Sequence, residues 1–251
     1  MKYTEAISSE IFSVISKASK ELQIDSYVIG GFVRDFFLKR GNSKDIDVVA
    51  IGSGIELAQK VSKLLPNKPK VQIFKTYGTA MLRFKDVEIE FVGARKESYS
   101  ENSRNPDVTE GTLQDDQNRR DLTINALALS LNEDNFGALL DPFNGIEDLE
   151  NKVIKTPLNP DITYSDDPLR MMRAIRFATQ LNFNIDANSL EAITRNAHRL
   201  KIITRERIVD ELNKILASSK PSIGFLLLEK AGLLKQILPE LIDLKGVEEV
   251  E

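Results

Sequence analysis

The sequence of 251 residues contains no cysteine and a single histidine, and it has no long uninterrupted run of apolar residues. Without cysteine the chain forms neither disulfides nor thiolate metal sites, which fits a reducing compartment. The lone His198 excludes a histidine-rich hydrolase site. No apolar segment approaches the length of a membrane span, and charges interrupt the amphipathic pattern of residues 1–22, which is therefore not a signal peptide. We expect a cytoplasmic protein without a membrane partner.

Charge is distributed unevenly along the chain, whose formal net charge is −4. Acidic residues concentrate in 107–116 and 248–251, whereas residues 170–207 are basic. Phosphate binding depends on where basic residues cluster and not on the sum of the charges. The negative net charge therefore leaves room for a partner that carries phosphates. The length allows one large or two small domains.

Residues 27–52 combine two short strands, a glycine pair and two aspartates. The pattern predicts a strand, a turn at Gly30 and Gly31, a helix, and a second strand that opens with Asp45 and Asp47. Because side chains alternate along a strand, both carboxylates lie on one face, where they repel each other unless a cation lies between them. Backbone amides at the glycine pair suit a phosphate, and so does the guanidinium one helical turn later. Taken singly, a glycine pair is also typical of a tight turn, and Asp-x-Asp of a solvated strand edge.

The rest of the first 150 residues predicts an α/β head, a small mixed sheet with helices. The predicted elements are a helix over 55–65 and strands over 71–74, 79–84, 87–92 and 138–143. The strands 71–74, 79–84 and 87–92 are predicted to form a meander. Its last strand carries Glu88 and Glu90, which are typical of a polar strand face in solvent. A third carboxylate is nevertheless expected near the two aspartates, because two metal ions shared with a triphosphate usually need more than two acidic ligands.

A polar stretch, 96–118, separates the meander from an apolar segment, 122–131. The stretch lacks periodicity and bulky apolar residues, so it predicts a mobile loop. Arg119, Arg120 and Asp121 follow and open the apolar segment, which is predicted to be a helix. Asp121 would cap that helix or be solvated.

Residues 151–251 are predicted to be helical. One helix starts around Asp166 and Asp167, and its arginines recur every three residues, which places them on one stripe. These are Arg170, Arg173 and Arg176. Such a stripe is typical of a solvated basic face, but the arginines repel each other unless an anion such as a triphosphate lies against them. Further amphipathic helices are predicted over 187–200, 204–217 and 223–238.

Three motifs, in this order, resemble those of tRNA nucleotidyltransferases (CCA-adding enzymes) and bacterial poly(A) polymerases. The first is Gly-Gly-x-Val-Arg-Asp at 30–35, followed by Asp-x-Asp at 45–47. The second is Arg-Arg-Asp-Leu-Thr-Ile-Asn-Ala at 119–126. The third is Glu-Asp-x-x-Arg at 166–170, in which this chain has Asp166 where the family commonly has Glu.

The resemblance implies a role for each matching residue. Asp45 and Asp47 would hold two magnesium ions, with Glu90 preferred over Glu88 as the third carboxylate. The other implied roles are phosphate binding by Gly30, Gly31 and Arg34, assisted by Arg173 and Arg176; contacts to ribose and phosphates by Arg119, Arg120, Asp121 and Asn125; and reading of the base edge by Asp167 and Arg170.

The implied function is template-independent addition of CMP and AMP, from CTP and ATP, to the 3′ end of tRNA. A poly(A) polymerase, or an enzyme that adds only CC or only A to an RNA 3′ end, would share the same motifs. An inactive RNA- or nucleotide-binding regulator is the alternative from another class, against which the intact Asp45 and Asp47 count. Family members usually continue further, so residues 151–251 are expected to be a helical neck and the start of a truncated body. The sequence does not indicate an oligomeric state.

Overall fold

The computed structural model of the chain describes residues 1–41, 44–98, 107–244 and 246. The chain divides into two compact units. The first, which we call the head unit, comprises Met1–Ser98 and Asp107–Leu149. The second, the helical unit, takes up the chain from Glu150.

The head unit is built on a mixed β-sheet. Its strands are β1 (Ser26–Ile29), β2 (Asp45–Ala50), β3 (Gln72–Phe74), β4 (Thr79–Phe84), β5 (Val87–Gly93), β6 (Arg95–Ser98), β7 (Asp107–Glu110), β8 (Ala128–Ser130) and β9 (Leu139–Leu140). Its helices are α1 (Glu10–Leu22), α2 (Gly31–Phe37), α3 (Gly54–Leu64), α4 (Leu113–Asn118) and α5 (Gly145–Glu150). Seven strands form the main sheet in the order β3-β4-β5-β2-β1-β8-β9. Only the pair β2 and β5 is parallel among these neighbours.

The alternation of side chains along β2 and β5 explains how the sheet is packed. Val48, Ile89 and Phe91 are buried, whereas the acidic residues between them are exposed or half-buried. Helices α1 and α3 pack on this sheet, and α3 is capped by Ser53, whose hydroxyl accepts a hydrogen bond from the Glu56 amide. The predicted α/β head is confirmed, and so is the meander of three strands beside β2.

The segment 122–131 is not the helix that the sequence predicts. It forms a short 3₁₀ turn, Thr123–Asn125, and then β8, which pairs with β1 on one side and β9 on the other. Every residue from Leu122 to Leu131 is buried. A strand buried on both faces is a continuous apolar run, which periodicity alone cannot distinguish from a buried helix.

The stretch 96–118 contains more structure than a mobile loop. Strands β6 and β7 form an antiparallel ribbon in which Arg95 pairs with Glu110. Helix α4 follows and starts with a capping box between Thr112 and Asp115, a polar signal for a helix start. Residues 99–106, to which the loop prediction also applies, lie outside the described residues.

The helical unit contains seven helices and two short strands within the described residues. They are β10 (Val153–Ile154), α6 (Pro160–Asp166), α7 (Leu169–Leu181), β11 (Asn184–Ile185), α8 (Ala187–Asn196), α9 (Arg205–Leu216), α10 (Pro221–Lys230), α11 (Leu234–Ile237) and α12 (Pro239–Asp243). The prediction of a helical second half is confirmed, but Asp166 ends α6 and does not open α7. Asp167 is extended, with φ −132° and ψ 98°, because a residue that precedes proline is disfavoured in the helical region.

A membrane-spanning helix would need a longer apolar stretch than any helix within the described ranges provides. The cytoplasmic location expected from the sequence stays a prediction.

Candidate active site

The glycine turn between β1 and α2 brings backbone close to two charged side chains. Gly30 has a φ of +84°, which favours glycine. A Cβ at this position would lie 3.0 Å from Nη1 of Arg120 and 3.4 Å from Oδ2 of Asp47. Gly30 is therefore required both by its backbone conformation and by the approach of Arg120, whereas a Cβ at Gly31 would make an ordinary 3.6 Å contact with Arg34.

The two predicted aspartates lie at the start of β2, on the face opposite Ile46 and Val48. Asp47 is in register with Glu90 of β5, and Asp45 is in register with Glu88. We call this side of the sheet, with its four acidic residues, the carboxylate face. The register places one glutamate beside each aspartate and does not distinguish them, so the preference for Glu90 stays a prediction from the family resemblance.

Asp47 carries an electrostatic cost in the folded protein. Burial raises the pKa of its carboxyl group above the ordinary value, and the charge of Asp45 raises it further. Arg120 acts in the opposite direction but does not cancel the effect. A cation bound at this position would offset the cost, because an opposite charge favours the ionised form.

The carboxylate face offers the kind of ligands that magnesium takes. Among the residues that the structure describes, no three acidic or histidine side chains converge closely enough to hold a metal by themselves. Magnesium, however, usually keeps several waters and is held by one or two carboxylates together with substrate phosphates. Asp45 and Asp47 fit that pattern, and a third protein ligand is not needed for the fit.

Arg119 and Arg120 are both anchored by a fully buried carboxylate, Asp116. Asp116 accepts from Nε of Arg119 at 3.0 Å, and from Nε and Nη2 of Arg120 at 3.2 and 3.1 Å. Nη1 of Arg120 also donates to the backbone oxygen of Asn125 at 3.3 Å. The sequence-based hypothesis missed Asp116, although its i,i+3 and i,i+4 spacing to the two arginines on a helix was a usable signal.

Arg34, Asn125 and Asp121 form a chain of side-chain hydrogen bonds. Nη1 of Arg34 donates to Oδ1 of Asn125 at 2.8 Å, and Nδ2 of Asn125 donates to Oδ1 of Asp121 at 3.1 Å. Arg34 also binds Asp35 through two parallel bonds of 2.9 and 3.0 Å. Asp121 is buried, so the expectation that it is a helix cap or a solvated residue is wrong. The structure brings these predicted residues together, and their roles toward a nucleotide stay predictions.

In the helical unit, Asp167 and Arg170 lie at the start of α7. Oδ1 of Asp167 accepts the amide of Leu169, the first residue of α7, at 3.1 Å, while its Oδ2 lies 3.8 Å from Nη2 of Arg207. Arg170 is buried, and its amide donates to the backbone oxygen of Asp167. Base reading by this pair stays a prediction.

The other two arginines of the stripe lie against Phe177 of α7. The guanidinium of Arg176 is 4.0 Å from the Phe177 ring centre, and that of Arg173 is 5.6 Å away. Nε of Arg176 lies 2.6 Å from Oε2 of the buried Glu211 on α9. The carboxylate of Glu211 therefore neutralises part of the positive charge of the arginine stripe. Phosphate binding by Arg173 and Arg176 stays a prediction.

Comparison with known proteins gives matches across most of the chain. A model of the poly A polymerase head domain matches residues 26–155, and a model described as the probable RNA and SrmB-binding site of polymerase A matches 182–244. An A-adding tRNA nucleotidyltransferase of Aquifex aeolicus is 36% identical over 197 residues, 78% of this chain and 23% of the relative. A CCA-adding enzyme of Anoxybacillus flavithermus is 36% identical over 219 residues, 86% of this chain and 52% of the relative.

A solved tRNA nucleotidyltransferase, in complex with a primer tRNA and an incoming ATP analogue, superposes with a TM-score of 0.78 at 30% identity. The match covers 94% of this chain and 64% of that one. The chain spans about a quarter of the length of the Aquifex aeolicus relative and about half of the length of the Anoxybacillus flavithermus relative. The family resemblance inferred from the three motifs is confirmed.

Proposed function

Since the chain belongs to the poly A polymerase head domain family, we propose that it adds nucleotides to the 3′ end of RNA. The acceptor is tRNA, the donors are CTP and ATP, and the product is the CCA end. The names of the relatives and of the tRNA-bound structure support this choice of substrates.

The observation that carries the proposal is the arrangement around Gly30. Arg120, held by buried Asp116, meets the glycine turn at the same point as Asp47 of the carboxylate face. Phosphoryl transfer depends on positioning and charge stabilisation more than on covalent chemistry by the protein. A fixed guanidinium beside a pair of carboxylates on one strand supplies charges of both signs for that purpose.

Magnesium ions held by Asp45 and Asp47, two in number by the family pattern, would supply the positive charge that activates the RNA 3′-hydroxyl and neutralises the triphosphate. In the reaction the 3′-oxygen forms a bond to the α-phosphorus, and the bond to the pyrophosphate breaks. Glu90 would orient the attacking hydroxyl from the strand next to Asp47.

The remaining residues bind and orient the substrates. Arg34 and Arg120 would contact phosphate oxygens, because guanidinium groups suit them in geometry and charge. Asp121 and Asn125, already joined by a hydrogen bond, would accept from and donate to the ribose hydroxyls. In the helical unit, Asp167 and Arg170 would offer an acceptor and donors to the base edge, and Arg173 and Arg176 would assist with the phosphates.

Incubation with a tRNA transcript that lacks its 3′ CCA, followed by sequencing of the product, tests the proposal. CTP and ATP are supplied separately and together. We expect CC with CTP alone and complete CCA with both. Failure to extend the transcript under any of these conditions contradicts the proposal.

A second candidate is addition of A alone, which the A-adding relative favours. It predicts that the chain extends a transcript ending in CC with ATP but leaves a transcript without CC unchanged. A product that ends in CC only, or a long run of A, would identify a CC-adding enzyme or a poly(A) polymerase instead.

A further inference from the structure

Residues 57–85 form a stretch of the head unit that contains no aspartate or glutamate, although the whole chain has a net charge of −4. The stretch carries one arginine, Arg83, and six lysines. These are Lys60, Lys63, Lys68, Lys70, Lys75 and Lys85. It spans most of α3, the edge strand β3 and the neighbouring strand β4. Lys60 and Lys85 form ion pairs with Glu21 and Glu10 of α1, whereas Lys70 and Lys75, on either side of β3, add positive charge to a protein whose net charge is negative.

The same stretch exposes aromatic and apolar side chains at the edge of the sheet. All residues from Gln72 to Gly78 are exposed. Among them, Ile73 keeps 38%, Phe74 42% and Tyr77 71% of its surface in solvent. Isolated exposed apolar residues are ordinary, but here three occur within five positions. The rings of Phe74 and Tyr77 can stack on other rings, and Lys70 and Lys75 add positive charge beside them.

Protection of the edge strand does not explain this composition. Lysines beside an edge strand discourage pairing with another chain. Exposed Ile73 and Phe74 have the opposite effect, because they lie on the edge strand and an apolar edge strand promotes such pairing. The exposure of Phe74, and of Tyr77 in the 3₁₀ turn after β3, is accounted for if a partner covers both rings.

The sheet connects this surface to the candidate active site. In the strand register, Asp47 lies opposite Glu90, Glu90 opposite Met81, and Met81 opposite Gln72. Paired residues project to the same side of a sheet, so Gln72 and, two residues on, Phe74 lie on the carboxylate face. Three strand spacings separate Gln72 from Asp47, about 14 Å. Ile73 projects to the other side.

We propose that Lys70, Phe74, Lys75 and Tyr77 bind the single-stranded 3′ region of the RNA acceptor, a short distance before the terminal nucleotide that reacts at the carboxylate face. This inference rests on the proposed function for the identity of the acceptor. Single-stranded nucleic acid is bound by aromatic side chains that stack on bases and by basic residues that follow the backbone. Lys70 and Lys75 supply the charges, and Phe74 and Tyr77 supply the rings.

The first test measures binding of a fluorescein-labelled tRNA transcript that ends in CC, so that unpaired nucleotides precede the reacting 3′ nucleotide, in the absence of free nucleotides. The double variant Phe74→Ala/Tyr77→Ala is expected to bind at least about tenfold more weakly, since stacking of each base contributes appreciably to affinity. Ile73→Ala removes a comparable exposed apolar side chain from the other side of β3 and is expected to bind like the wild type. Affinity of the double variant within about twofold of the wild type overturns the proposal.

The second test separates charge from stacking. Lys70→Gln/Lys75→Gln should reduce the slope of log affinity against log salt by about 0.7 for each RNA phosphate that the variant no longer neutralises. Lys2→Gln/Lys17→Gln changes the net charge equally at exposed lysines outside this stretch and should leave the slope unchanged. Equal slopes in the two double variants would overturn the assignment of Lys70 and Lys75.

Kinetics distinguish this inference from the proposed function. For Phe74→Ala/Tyr77→Ala, KM for tRNA should rise while KM for ATP stays unchanged. A wild type that transfers nucleotides, together with a double variant that binds RNA normally, refutes the surface and leaves the function standing. A wild type that binds RNA through Phe74 and Tyr77 but transfers nothing refutes the function alone. A wild-type dimer that the double variant abolishes would show an interface between copies and overturn the proposal.

Discussion

The carboxylate face of the head unit and helix α7 of the helical unit both contain clusters of like charges, but the two clusters differ in how far other residues neutralise them. On α7, Arg176 has an ion pair with buried Glu211 and lies over Phe177. On the carboxylate face, burial and the neighbouring Asp45 raise the pKa of Asp47 despite the presence of Arg120. A charge that the chain compensates internally is explained by stability, whereas a charge kept at an electrostatic cost indicates a ligand.

The largest expected effect is the loss of nucleotide addition in Asp45→Asn or Asp47→Asn. Asparagine keeps the shape of the side chain but removes the charge that a metal requires. Loss of several kcal/mol of charge stabilisation corresponds to a rate about 1000-fold lower. Rates of addition to tRNA measure the effect, and circular dichroism checks the fold. Activity within about tenfold of the wild type would refute the metal assignment.

Asp116 and Glu211 are buried carboxylates that each hold arginine, and they provide a matched pair. Replacing either residue with its amide removes the negative charge that pairs with its arginine partners. This should lower the free energy of unfolding by about 3–5 kcal/mol. Denaturant unfolding measures this loss. The activity of the folded fraction should fall further in Asp116→Asn than in Glu211→Gln, because Asp116 orients both Arg119 and Arg120, whereas Glu211 holds Arg176, which only assists. An equal fall in Glu211→Gln would give Arg176 as large a part in phosphate binding as the two arginines of the head unit and weaken the contrast.

Base selection should depend on Asp167 without affecting catalysis. Asp167→Asn retains a side-chain oxygen that can accept the Leu169 amide, but it replaces the other oxygen, the proposed acceptor for the base edge, with a donor. Preference for CTP and ATP over UTP and GTP should fall roughly tenfold to a hundredfold. Asp186→Asn, at the cap of α8, is the control. Unchanged selectivity in Asp167→Asn and in Arg170→Ala would show that the base is read elsewhere.

Sugar selection is expected to depend on Asp121 to a smaller degree. Asp121→Ala removes the acceptor bound by Asn125 and, with it, the proposed acceptor for a ribose hydroxyl. Discrimination between ATP and dATP should weaken by about tenfold, which corresponds to a single hydrogen bond. Competition assays with both nucleotides measure the ratio. If the ratio is unchanged, Asp121 only supports Asn125.

The sequence predicted the elements whose signal is local and missed those that depend on packing. Strand β4, Thr79–Phe84, was predicted with its observed bounds, because its alternation and its glycine and charged turns are local signals. Strand β8 was mistaken for a helix, because burial on both faces removes the alternation that identifies a strand. The sequence placed a helix start at Asp166 and Asp167, but Asp166 is the last residue of α6, which was missed, and the proline after Asp167 disfavours a helical conformation at that residue.

The candidate site was predicted residue by residue where motifs exist, but not where an interaction crosses the fold. Gly30, Asp47 and Arg120 were each identified from the sequence, yet their meeting point was not, because it depends on how β1, β2 and the segment after α4 pack together. Asp116 was missed for a related reason. A buried carboxylate in a polar stretch looks solvated until the fold places two arginines on it.

The central claim, that Asp47 is kept at an electrostatic cost for a cation, is tested most directly by thermal unfolding of the wild type and Asp47→Asn with and without magnesium. When the pKa of a carboxyl group is raised in the folded state, the folded protein becomes less stable as the pH rises to that pKa. Ionised Asp47 therefore destabilises the metal-free protein at neutral pH. Without magnesium the variant should be at least as stable as the wild type. With magnesium at a hundred times its Kd, only the wild type should gain about 2.7 kcal/mol. A variant that is less stable without magnesium, or that gains as much with it, would contradict the account.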